Sequence, residues 1–281
     1  MNFLRKTKPL TLVLGGTGKT GRRVADRLKA VGETVRIGSR SATPGFDWDT
    51  EASWDAALKD VTAAYITYAP DLAFPGATDA IERFVHKAKR AGVKRLVLLS
   101  GRGEEEAQAC ECIVQVSGID WTIVRASWFN QNFSEGAFID MVLNGAITLP
   151  AGDTPEPFVD ADDIADVVVA ALTQDHHFGE VYEVTGPRLM TLADVAADLS
   201  AATGRDIAYV NVPHDGFMAE IEASGAPKEV AWMLDYLFAT VLDGRNASLT
   251  DGVARALGRP PKDFAAYARD VARSGVWERA A

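Results

Sequence analysis

Three glycines, Gly15, Gly18 and Gly21, stand three residues apart in LTLVLGGTGKTG. They lie where an apolar run, residues 10–14, gives way to a helical pattern with Val24, Leu28 and Val31 on one stripe. Strand, glycine turn and helix is the context in which a backbone cradles a pyrophosphate. The first glycine turns the chain sharply. The second lets the backbone approach the phosphates, and the third lets helix and strand pack closely. Free N–H groups and the dipole at the helix start then hold the negative charge. Gly15, Thr17, Gly18, Lys19, Thr20 and Gly21 are the expected phosphate-binding residues. Two other readings compete. A triphosphate loop, G-x-x-x-x-G-K-[ST], fits Gly18-Lys19-Thr20 but requires glycine where the chain has Val13. A tight turn that holds no ligand is the other.

The type of dinucleotide is read further along. A NAD-binding unit places an acid about 20 residues past the glycines, on the ribose 2′-hydroxyl. Here that place reads Gly38-Ser39-Arg40-Ser41, with no carboxylate and with a guanidinium fork suited to a 2′-phosphate. Ser39 and Arg40 therefore favour NADP(H) over NAD(H).

The elements that must position these residues alternate strand and helix. After the first helix, residues 34–37 read as a strand, 46–48 as a short third strand, 63–67 as a fourth, 94–101 as a fifth and 120–125 as a sixth. That rhythm means a parallel, doubly wound α/β sheet. Ligands of such sheets bind beyond the carboxyl ends of the strands. This places Asp47, Thr67, Tyr68, Pro70 and Ser100 beside the cofactor. The rhythm then changes. SWFNQNF, residues 127–133, packs aromatics and amides just past the sixth strand, and residues 145–158 are turn-rich. A helix follows over 160–173. Its acids Asp160, Asp162 and Asp163 read as capping and dipole groups rather than metal ligands, and no metal is expected. His176 and His177 suit the dipole at that helix's end. Residues 181–185 are one more strand, Thr191-x-x-Asp194 is a capping box, and residues 207–212 are an isolated strand. The expected division is a dinucleotide-binding domain over 1–187, with a 127–158 excursion toward the substrate lobe. A smaller, mainly helical lobe over 188–281 covers the substrate.

Composition narrows the class. The chain has 281 residues, 47% hydrophobic and 24% charged, enough for one large domain or a domain with a lobe. A net charge of −10 argues against a nucleic-acid surface. No run approaches the length of a membrane span, and MNFLRKTKP has no apolar core of a leader. Cys110 and Cys112, two apart on a helix, cannot bridge each other and read as small buried groups in a reducing compartment. A cytoplasmic monomer or homodimer acting on a small molecule is expected.

The stretches GGTGKTGRRVADRL, FDWDTEASWDAAL, LVLLSGRGE, SGIDWTIVRASWFNQNF, PFVDADDIADV and LDGRNASLTDGVARALGRPPKDFAAYA resemble the NmrA-like, atypical short-chain dehydrogenase/reductases. They look closest to the ergot alkaloid, agroclavine dehydrogenase-like branch. The WF-QNF and LGRPP segments are the specific ones, and the resemblance covers nearly the whole chain. It implies a Rossmann domain, NADPH, and reduction of an imine or iminium-like carbon. The substrate itself does not carry over.

Ordinary short-chain dehydrogenases use a Tyr-x-x-x-Lys pair on the helix after the fifth strand, where the tyrosine hands a proton to the carbonyl oxygen. Here that helix, residues 104–117, has neither tyrosine nor lysine. Tyr68 and Ser100 remain as hydroxyls, and with Trp128 they are the candidate catalytic residues, in positioning roles. An iminium carbon needs no proton before hydride attack, and a quinone collects protons from water. A pocket that binds NADPH and orients a flat imine, iminium, quinone or enone above it suffices. Trp128, Phe129, Asn130 and Phe133 are the expected pocket, with Met218 on the opposite wall. Core packing at a lobe junction is their competing role. Trp232, Met233 and Tyr236 are further candidates for the opposite wall, with helical core as their favoured role. The alternative function is an NADP(H)-binding redox sensor that contacts a regulatory protein without turnover.

Overall fold

The computed structural model describes residues 9–136 and 138–278. Residues 1–8, on which the reading of the N-terminal leader rests, lie outside them. The elements are β1 (Leu10–Leu14), α1 (Lys19–Ala30), β2 (Thr34–Gly38), α2 (Trp54–Leu58), β3 (Ala63–Ile66), α3 (Ala77–Ala91), β4 (Arg95–Gly101), α4 (Glu105–Gln115) and β5 (Asp120–Ala126). There follow α5 (Ile139–Asn144), β6 (Ala146–Leu149), α6 (Ala161–Thr173), β7 (Glu180–Val184), α7 (Leu192–Thr203), β8 (Ala208–Asn211), α8 (His214–Ala223), α9 (Lys228–Tyr236), α10 (Gly252–Leu257) and α11 (Phe264–Arg273).

Six strands form one sheet in the order β2-β1-β3-β4-β5-β7. β1 pairs in parallel with β2 and β3, and β3 with β4. Parallel pairs need crossovers, and α1 and α3 supply them. β1 and β3 are buried nearly throughout, as strands covered on both faces must be. This is the expected doubly wound, Rossmann-type sheet. The chain leaves β1 toward β2 and returns to β3 on the other side, so the topological switch point lies between β1 and β3.

The expected third strand is corrected. Residues 46–48 are a turn that joins no sheet. Side-chain packing holds the turn instead. The Phe46 ring packs on Trp48, Trp54 and Phe84 at 5.0–5.9 Å, and Trp48 Nε1 donates to the Thr67 carbonyl at 3.1 Å.

The chain divides into two compact units. The first runs through Ser100 and adds Glu105–Val124 and Ala165–Val181; the second holds Gly101–Glu104, Arg125–Ile164 and the chain from Tyr182 on. In the first unit, Leu12 and Leu14 of β1, Ile66 of β3, Leu96 and Leu98 of β4 and Phe84 of α3 share one core. In the second, Phe133, Phe158, Leu192, Leu199, Phe264, Tyr267 and Trp277 share another. The capping box on α7 is formed. Thr191 Oγ1 accepts the Asp194 N–H at 3.2 Å, and Asp194 accepts the Thr191 N–H at 2.9 Å.

Two further expectations are corrected in the second unit. The strand read over 207–212 is not isolated: β8 pairs in parallel with β6, which lies inside the stretch read as turns. Four residues, Ala-Ile-Thr-Leu, are too short a run to signal a strand without the partner that satisfies their backbone. The second correction concerns α9, which buries no residue, so Trp232, Met233 and Tyr236 are not helical core. Trp232 and Tyr236, one turn apart, stack at 5.3 Å on a half-exposed face. No described helix is long and apolar enough to cross a membrane.

Candidate functional site

The glycine turn gives each glycine a different task. Gly15 has φ +60°, the left-handed region, and a Cβ there would overlap the Thr67 hydroxyl. A Cβ on Gly21 would overlap the Gly15 carbonyl, so α1 closes on the end of β1 only because Gly21 has no side chain. Gly18 is different. It is exposed, with extended backbone, and an added Cβ would meet only the Gly15 oxygen, at 3.2 Å. Its own N–H donates to that oxygen at 2.8 Å. The polypeptide scarcely requires glycine at 18; a group approaching the backbone from outside would. Gly18 is also the N-cap of α1, which has no side-chain cap and no acid in its first turn. The positive end of a 12-residue helix is therefore open to an anion. Thr17 is exposed beside it, Lys19 is half-buried, and Thr20 is buried, its Oγ1 3.0 Å from the Tyr65 hydroxyl of β3.

The strand register brings the other expected residues to the same sheet edge. Leu14 pairs with Gly38, so Ser39 and Arg40 leave β2 beside the glycine turn. Arg40 is exposed, and no hydrogen bond or ion pair holds its guanidinium among the described residues. Ser39 Oγ lies 3.3 Å from Ser41 Oγ. Thr67 follows β3, and its hydroxyl donates to the Leu14 carbonyl at 3.1 Å. Ile66 pairs with Leu98, so Tyr68, just past β3, and Ser100, inside β4, lie level with each other at the carboxyl end of the β3–β4 pair. Pro70 is exposed beyond Tyr68. Asp47, in the aromatic turn, accepts the Asp49 N–H at 3.2 Å, and its carbonyl accepts from Trp54 Nε1 at 2.7 Å.

Neither hydroxyl at that edge is set up as an acid. Burial and the Asp49 carboxylate push the Tyr68 phenol above its ordinary value, whereas a tyrosine acid needs a cation that lowers it. Its ring leans on Trp48 at 5.0 Å. Ser100 is buried and donates to Glu111 Oε1 at 2.6 Å. Composition alone does not mark Glu111 as a partner of Ser100. Its signal is an acid on the stripe of α4 that also buries Ala107, Cys110 and Val114.

In the second unit, residues 128–130 and 156–159 are zipped side by side. The Val159 N–H donates to the Trp128 carbonyl at 2.8 Å, and the Asn130 N–H to the Val159 carbonyl at 2.9 Å. Trp128 is half-buried, with rings of Phe238, Phe138 and Phe158 at 5.4, 6.4 and 6.5 Å. Phe129 is half-buried and bridged to Val159. Phe133 is fully buried among Phe138, Phe158 and Phe264, inside the unit's core. Met218, on α8, is partly buried against the same core. Four polar side-chain atoms of this region are buried with no hydrogen-bond partner among the described residues: Ser127 Oγ, Trp128 Nε1, and both Asn130 Oδ1 and Nδ2. Beside them lies Glu156, whose Oε1 accepts the Trp128 N–H at a long 3.5 Å. Burial pushes its carboxyl up to about 7, partly offset by that N–H and by the Arg102 guanidinium. Ser127 and Glu156 carry no sequence signal; Glu156 sits between two prolines in a loop. Asp160, read as a cap, accepts the Asp162 N–H at 2.8 Å and the Gln131 amide at 2.7 Å. Asp163 accepts from Arg259 at 2.6 Å.

A model of the NmrA-like family matches residues 7–251. The chain is similar to the uncharacterized oxidoreductase YesF of Bacillus subtilis, 31% identical over 98% of each chain. It is also similar to the agroclavine dehydrogenase of Claviceps fusiformis, 31% identical over 95% of this chain and 98% of that one. Among solved structures, an NADPH-dependent quinone oxidoreductase of Escherichia coli complexed with NADPH shares the fold. Its TM-score is 0.75 at 23% identity, covering 93% of this chain and 99% of that one.

Proposed function

The chain belongs to the NmrA-like family, and we propose that it is an NADPH-dependent reductase of a flat, electrophilic small molecule. The observation that carries this is the glycine turn. An open helix N-terminus meets a glycine that only an outside group requires, one strand from an arginine with no partner among the described residues, and with no acid beside it. Gly15, Thr17, Gly18, Lys19, Thr20 and Gly21 would hold the pyrophosphate, and Ser39 and Arg40 the 2′-phosphate. Asp47, Thr67, Tyr68, Pro70 and Ser100 border the rest of the dinucleotide. When bound, NADPH supplies a hydride. The names of the two relatives, an oxidoreductase and a dehydrogenase, support the same class of reaction.

What the chain's own residues contribute is binding and orientation. α4 offers neither tyrosine nor lysine, so the acceptor must be electrophilic without help from such a pair. Imines, quinones and enones meet that condition. Trp128, Phe129 and Asn130 are assigned to the acceptor, Trp128 as a wall for a flat ring; Phe133 and Met218 back that wall. The test is loss of the reduced-nicotinamide absorbance with a panel of quinones, enones and iminium salts, beside calorimetric titration with NADPH and NADH. Turnover with at least one acceptor and tighter binding of NADPH are expected. Tight NADPH binding with no turnover of any acceptor would overturn the reductase and leave a dinucleotide sensor.

A further inference from the structure

Four partnerless buried polar atoms on Ser127, Trp128 and Asn130 are unusual, because folded proteins pair nearly all such groups. They are not scattered. All belong to one tetrapeptide, and that tetrapeptide is zipped to the strand-like stretch that carries Glu156. Asn130 opens a short 3-10 turn over Asn130–Phe133, and its N–H is tied to the Val159 carbonyl while the Trp128 carbonyl takes the Val159 N–H, so both residues are pinned to the same residue of the neighbouring stretch. The inventory is rich in donors. Trp128 Nε1 donates only, the Asn130 amide donates twice and accepts, and a protonated Glu156 donates once. An iminium ion offers such an edge no acceptor. A carbonyl oxygen does, and its demand for donors grows as hydride transfer makes it negative.

Resting on the reductase reading, we propose that the acceptor is a flat carbonyl compound, a quinone or enone, whose oxygen is held by Asn130 and Trp128 Nε1 and protonated by Glu156. The step balances. With NADPH bound, a hydride delivered to an electrophilic carbon of the acceptor would leave the nicotinamide oxidised. The π electrons move to the oxygen, and the oxygen takes the proton of the Glu156 carboxyl. The products would be oxidised nicotinamide, an enol or hydroquinone, and a buried Glu156 carboxylate that must regain a proton from water before the next turnover. Among the described residues, the charged group that acts on Glu156 is the Arg102 guanidinium, on the turn after β4. That guanidinium is already committed, to Glu183 at 3.3 Å and to the Asn246 and Ser248 carbonyls at 2.8 and 2.9 Å. It repels a second cation.

The experiment has two arms. In the first, 1,4-naphthoquinone without NADPH is titrated into wild type and Asn130→Leu, read by tryptophan fluorescence, with melting temperatures of both. An amide that serves a ligand and not the fold predicts binding at least about tenfold weaker with an unchanged or raised melting temperature. Unchanged binding with a lowered melting temperature would overturn the proposal, since the amide would then serve the fold through an internal water. This arm needs no turnover, so it stands even if the reductase reading fails. In the second, steady-state rates with the quinone and with an iminium salt are compared for wild type and Glu156→Gln across pH 5–9. The quinone rate should fall about 10²–10⁴-fold. The wild-type limb near neutrality should vanish, and the quinone-to-iminium ratio should drop. A Glu156→Gln enzyme that keeps the limb and the ratio overturns Glu156 as the proton source.

Discussion

Ser100 donates its hydroxyl hydrogen to Glu111 Oε1 at 2.6 Å, inside the first unit and away from solvent. A serine proton spent on an inward carboxylate is not available to a substrate oxygen. Ser100→Ala should therefore lower kcat by less than about tenfold, while leaving a buried carboxylate short of a partner, at about 1–3 kcal/mol of stability. Steady-state kinetics and chemical denaturation of the same preparation check both halves. A loss of about 10²–10⁴ in kcat without loss of stability would make Ser100 the acid.

Tyr68 and Trp128 should rank the opposite way from an acid and a bystander. Tyr68→Phe keeps the ring on Trp48 and removes a phenol that burial holds above its ordinary value. Its cost should stay below about tenfold in kcat. Trp128→Ala removes an aromatic wall and should cost more. Rates with the best acceptor at several pH values decide. A titrating limb that disappears in Tyr68→Phe would identify a substitute acid.

Arg40 is exposed and unpaired among the described residues, so its removal should not disturb the fold. Arg40→Ala should weaken NADPH binding about ten- to hundredfold, the scale of one charge-assisted contact, and leave NADH nearly unchanged. Calorimetry with both cofactors checks this. Equal loss for both would place the 2′-phosphate elsewhere.

Gly18→Val should fold and fail to bind dinucleotide. The new Cβ would meet only the Gly15 carbonyl oxygen, at 3.2 Å, so a small adjustment accommodates it, but the branched chain would stand over the open helix N-terminus. Circular dichroism should match wild type while cofactor binding is lost. Wild-type affinity would move the phosphates off this turn.

Glu156 should make the protein less stable as pH rises. Its folded-state pKa is pushed up from the ordinary 4.5 to about 7. Between those values the folded state holds the proton and the unfolded state does not. Stability therefore falls as pH climbs from 4.5 and levels off above 7, by at most about 3 kcal/mol at 1.36 kcal/mol per pH unit. Glu156→Gln should flatten that slope and melt above wild type at pH 8. Parallel slopes for the two proteins would show Glu156 to be solvated.

Much of this architecture is written locally. The glycine turn, the periodic stripes of α1 and α3, and the Thr191–Asp194 capping box depend on residues three or four apart, where backbone geometry alone decides which side chains meet. These were legible, and so was the missing acid beside Arg40. What the tertiary structure decided depends on residues distant in sequence. β6 reads as turns until β8, some sixty residues on, satisfies its backbone. Phe46–Trp48 reads as a strand by composition, yet its aromatic partners, Trp54 and Phe84, hold it in a turn. Glu111 becomes the partner of Ser100 only because α4 folds back against β4, and Glu156 becomes a buried, neutralised carboxyl only because its loop is zipped to Trp128 and Asn130. A charge's burial and a hydroxyl's partner belong to the packed environment, and no local pattern of residues encodes either.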